Sequence, residues 1–138
     1  MRTILMLAML LIVPLLTIAC APPPPCAEGE PQIELVTVPP LNSFNYDKVY
    51  GNVCGVDASS TSVVVYIQVG QWWVKPTQAQ PLTTIGPFGS FSCDVTTGGS
   101  TDLLATEVCA YLVSANYKPR LNIPPAEGEY IAKSCVER

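Results

Sequence analysis

Fourteen prolines and nine glycines break this 138-residue chain into short stretches. Beyond residue 20 no stretch carries a 3.6-residue apolar period long enough for a helix. Between the breaks stand runs of β-branched and aromatic side chains, which suit a pleated, half-buried surface. The densest covers residues 62–70, with Val63, Val64, Val65, Tyr66, Ile67 and Val69. An apolar run of this kind predicts a central strand buried on both faces. Further strands are predicted over residues 32–38, 48–56, 71–76, 81–85, 90–96, 106–114 and 130–136. Gly51 and Gly55, inside the second run, predict a bulge or a close backbone approach. Gly86-Pro87-Phe88-Gly89 supplies turn chemistry before the sixth.

Short strands spaced about ten residues apart predict an all-β fold. The expectation is one Ig-like β-sandwich of about seven or eight antiparallel strands over residues 32–138. Residues 1–19 read as a signal peptide and residues 20–31 as a linker. Charge and composition exclude several functions. Seven basic against eleven acidic residues give a formal net charge of −4, and setting Arg2 aside makes it −5. A basic nucleic-acid footprint is therefore missing. With no histidine, imidazole catalysis and imidazole metal ligation are excluded as well. No metal and no cofactor is expected.

The export signal rests on Arg2 and the apolar residues 4–18. A stretch of about 15 residues fits a secretory core and falls short of the roughly 20 that a membrane-spanning helix needs. Its end, Leu16-Thr17-Ile18-Ala19-Cys20, resembles a bacterial lipoprotein signal. The resemblance implies cleavage before Cys20, acyl chains such as palmitate on that cysteine, and a stable membrane anchor. Plain secretion with cleavage after Ala19, and a retained anchor, are the alternatives. Pro22–Pro25 then favour an extended rod, suited to a stalk above a membrane. The expected location is the cell envelope.

Export makes disulfides the default for the six cysteines. The pairs expected are Cys54 with Cys109 and Cys26 with Cys135, leaving Cys93 as the free thiol. Cys54 and Cys109 both lie opposite the main apolar residues of their strands, which favours a cross-strand or edge bridge over one between sheets.

Residues 48–119 carry Val49-Tyr50-Gly51, Val65-Tyr66-Ile67, Trp72-Trp73-Val74-Lys75-Pro76, Pro81-Leu82-Thr83 and a run from Gly89 through Cys93-Asp94 to Gly99. This looks like a small β-sandwich module of exported bacterial proteins, found alone or beside polysaccharide-active domains. The resemblance implies an accessory or binding role and transfers no catalytic residue. The candidate ligand-binding residues are Trp72, Trp73, Tyr66 and Lys75. An exposed aromatic ring there would stack on the C–H face of a sugar, and Lys75 would cover an aromatic face or solvate an edge strand. Adjacent tryptophans in a strand point to opposite faces, so at most one serves a given surface. Asp94, Thr96, Thr97, Ser100 and Asp102 form an oxygen-rich loop, but nothing in the spacing sets two carboxylates across a cleft. The expected function is non-catalytic binding of a polysaccharide or envelope protein. Assembly through strand edges and, last, an envelope hydrolase are the alternatives.

Overall fold

The computed structural model describes residues 29–43 and 48–138. The signal, Cys20, the proline stalk and Cys26 lie outside the described residues. The domain is all-β. Its strands are β1 (Gln32–Thr37), β2 (Lys48–Cys54), β3 (Thr61–Val69), β4 (Gln71–Lys75), β5 (Leu82–Thr83), β6 (Ser90–Asp94), β7 (Glu107–Ser114) and β8 (Ala132–Glu137). Two antiparallel sheets result, one ordered β1-β2-β6 and the other β4-β3-β7-β8, with β5 also pairing β3. The chain changes sheet at β2–β3, β5–β6 and β6–β7, which gives the Ig-like sandwich expected from the strand spacing.

The core follows from the two-residue period of each strand. Ile33 and Leu35 of β1, Val49 and Val53 of β2, and Phe91 and Cys93 of β6 face Val63, Val65 and Ile67 of β3 and Val108, Ala110 and Leu112 of β7. Each aliphatic side chain buried there contributes on the order of 1.5–3 kcal/mol relative to exposure. Gly51 lies on the same inner face, where a Cβ would stand 2.3 Å from the Glu34 carbonyl oxygen and 2.4 Å from the Phe91 ring. The close approach predicted from sequence is therefore real. It accompanies a register shift between Leu35 and Thr37 on the neighbouring strand.

The outer face of the five-stranded sheet is also apolar. Val64, Tyr66, Val74, Cys109, Tyr111 and Val113 form a second cluster, with Trp72, Leu82, Tyr117 and Tyr130 packed on it. The proline-rich connection from β7 to β8 roofs this cluster. The Tyr66 hydroxyl donates to the Arg120 carbonyl at 2.5 Å, Val74 N–H to the Leu121 carbonyl at 3.0 Å, and the Asn122 side-chain amide to the Trp72 carbonyl at 2.8 Å. Tyr111 meets Tyr66 and Tyr130 edge-on, with ring centroids 6.2 and 5.4 Å apart. This roof is why β3 is buried on both sides.

Both expected cysteine pairings are overturned, because Cys109 bonds to Cys135. The two sit directly opposite each other on β7 and β8, with Cα atoms 4.1 Å apart. The cross-strand placement read from Cys109 holds, but its partner is the neighbouring strand and not β2. Cys54 is also disulfide-bonded. The Cys109–Cys135 bridge points to an oxidising, extracytoplasmic location. No helix among the described residues is long and apolar enough to cross a membrane.

Cys93 is a free, buried thiol. Burial pushes its pKa up to about 12, and the neighbouring Asp94 carboxylate adds to the rise. Burial likewise raises Tyr66 and Tyr111. Each group keeps its proton in the folded state at pH values where the unfolded chain releases it, so folding weakens as pH rises. The loss begins near the ordinary thiol pKa of 9.0 and continues toward about 12. With no histidine in the chain, thermal melts at pH 6, 7 and 8 are expected to coincide, and a melt at pH 10 to fall below them. A higher melting temperature at pH 10 than at pH 8 contradicts this assignment.

Candidate functional site at the β4 edge

Strand alternation splits the tryptophan pair as the sequence requires. Trp72 joins the outer cluster, and Trp73 packs against the sandwich core; both are half-buried. Lys75, two residues on, shares the inner side with Trp73. Tyr66 does not belong to any exposed surface. It is completely buried, with its hydroxyl committed to Arg120. Of the four candidate binding residues, only Trp73 and Lys75 line one cleft.

That cleft has a volume of about 570 Å³ and is bordered by Trp73, Lys75, Pro76, Thr77, Gln78, Thr97, Gly98, Thr101 and Asp102, with Val69, Val74 and Leu121. Its size lies within the roughly 300–1,000 Å³ typical of small-molecule sites. The β6–β7 connection forms its far wall. Asp94 opens that connection by accepting from Thr96 N–H at 3.0 Å and from the Thr96 hydroxyl at 3.3 Å, a local Asx turn. The chain then turns through Gly98 and Gly99 into a short 3₁₀ segment, Ser100–Leu104, which carries Asp102 inward.

Asp102 and Lys75 form a buried ion pair, only 6% and 4% exposed. The same carboxylate oxygen accepts from Gly98 N–H at 2.7 Å. Lys75 also donates to the Thr97 hydroxyl at 3.4 Å, and that hydroxyl donates to the Pro76 carbonyl. A side chain at position 98 would displace Asp102, since a Cβ would stand 2.8 Å from its carboxylate.

Lys75 therefore neither covers an aromatic face nor solvates an edge, as the sequence suggested. Its charge is spent on an aspartate 27 residues downstream, a partner that no local spacing reveals. The two carboxylates of the oxygen-rich loop are engaged separately: Asp94 accepts from Thr96, and Asp102 pairs with Lys75. Among the described residues, the one cluster with metal-ligand geometry is Glu107, Cys109 and Cys135, and its two sulfurs are joined to each other.

The sequence reading also missed Phe88. Its side chain is fully exposed on a left-handed backbone, with φ 59°, uncommon for a bulky residue. The loop is pinned there by Gly86 N–H to the Ser90 carbonyl at 2.7 Å and by the Ser90 hydroxyl to the Pro87 carbonyl at 3.1 Å. The unusual proline-aromatic-glycine order in the turn was its only advance signal.

Comparison with protein-family models, with curated proteins and with solved structures finds no match for this chain, so its functional reading rests on the geometry of the β4-edge cleft.

Proposed function

We propose that this chain is a non-catalytic, lipid-anchored domain of the cell envelope that binds a glycan at the β4-edge cleft. The observation that carries the reading is the composition of that cleft. A half-exposed Trp73 lines it together with Thr77, Thr101 and Gln78, around an ion pair that Thr97 and Gly98 help to fix. An aromatic face for sugar C–H groups and a few convergent polar groups are what such a ligand needs. The oxidised Cys109–Cys135 bridge supports export, and anchoring at Cys20 rests on the resemblance of residues 16–20 to a lipoprotein signal.

The alternatives find less support. A glycosidase of the usual kind sets two carboxyl groups about the scissile bond, and among the described residues the cleft has one carboxylate, Asp102, paired with Lys75. For strand-edge assembly, the outer edge of β4 already bonds to Leu121 and Asn122.

A glycan array probed with the exported protein tests the reading. Trp73→Ala is expected to weaken binding at least tenfold, about 1.4 kcal/mol, with circular dichroism unchanged. Phe88→Ala, which alters the most exposed aromatic ring among the described residues, is expected to bind as the parent does. Loss of binding in Phe88→Ala with retention in Trp73→Ala would place the site elsewhere.

A further inference from the structure

The chemistry of the cleft restricts its ligand more narrowly, on the reading that it binds a sugar. We infer that the β4-edge cleft selects uncharged oligosaccharides and discriminates against those bearing uronic acids or other carboxylates. Among the described residues, Lys75 and Asp102 are the only charged side chains lining it, and they cancel each other.

The pair is not free to rearrange around a ligand. Both groups are buried, and Asp102 is further held by Gly98 N–H. Drawing Lys75 toward a ligand carboxylate would leave Asp102 as an uncompensated buried charge, an arrangement that proteins avoid strongly. What remains for the ligand is neutral: the Trp73 ring, the side chains of Thr77 and Thr101 and the Gln78 amide. These can hydrogen-bond sugar hydroxyls but supply no countercharge for an anion. A carboxylate entering the cleft would lose water and gain no cationic partner, and burying it is costly. The acidic chain adds a repulsive field, with a formal net charge of −4.

The test uses matched oligosaccharides of equal length, one of neutral hexoses and the other of the corresponding hexuronic acids, titrated by calorimetry into the exported protein and into Trp73→Ala. The neutral member is expected to bind at least tenfold more tightly. Its affinity should change less than about twofold between 50 and 500 mM NaCl, because no ionic contact is screened. Equal or tighter Trp73-dependent binding of the uronate, weakening with salt, would overturn the selectivity while leaving the glycan reading in place. Absence of Trp73-dependent binding by either sugar would overturn the glycan reading and this inference together.

Discussion

Asp102→Ala is expected to destabilise the domain by about 3–5 kcal/mol, the usual cost of leaving one partner of a buried ion pair without the other. Lys75 would stay trapped beside the core, with the Thr97 hydroxyl as its remaining side-chain partner. Gly98 N–H would lose its acceptor at the same time. Domains of this size are stable by only about 5–15 kcal/mol, so the effect is large. The companion variant Lys75→Met/Asp102→Ala is expected to recover most of the loss, because removing both charges also removes the desolvation penalty. Urea denaturation of the parent, both single variants and the double variant measures this directly. A double variant no more stable than Asp102→Ala would show that the pair's energetics are misread.

The second large effect belongs to the bridge between β7 and β8. Cys109 and Cys135 are 26 residues apart in sequence, and closing a loop of that length removes about 3.5 kcal/mol of unfolded-chain entropy. The double variant Cys109→Ala/Cys135→Ala is expected to lose that much, with an additional cost for Cys109, which is packed in the outer cluster. The loss should appear as a lower urea midpoint. Reducing agent should lower the parent's midpoint by at least as much, since it also opens the disulfide at Cys54, and should lower the variant's midpoint by less. A reductant-insensitive parent would contradict the dominance of this bridge in the roof's attachment. The exposed Arg120–Glu129 pair in the same connection is expected to matter little, as surface ion pairs do.

The strands were legible because their information is local. Alternation in β2 placed Val49 and Val53 inside, and the dense apolar run of β3 announced a strand covered on both sides. Gly51 announced a close approach, which the fold makes to the Glu34 carbonyl and the Phe91 ring. What covers β3 was not legible. Residues 115–129 read as a loop, and nothing in their polarity shows that the Arg120 and Leu121 carbonyls meet Tyr66 and Val74 across the fold. The same limit applies to the site. Alternation separated Trp72 from Trp73, but only the path of the β6–β7 connection brings Asp102 to Lys75. The disulfide followed this pattern as well. The facing of Cys109 was readable from its strand, whereas its partner depends on which strand lies next to β7.

The central claim is that ligand meets this domain at the β4 edge, against Trp73. Amide and indole chemical-shift mapping on the isotope-labelled protein, titrated with a neutral oligosaccharide that scores on the array, tests it most directly. The account predicts saturable shifts of the Trp73 indole N–H and of the Thr97, Gly98 and Thr101 amides. Shifts confined to the Phe88 loop or to the outer face of the β1-β2-β6 sheet, with the Trp73 indole unmoved, would contradict it.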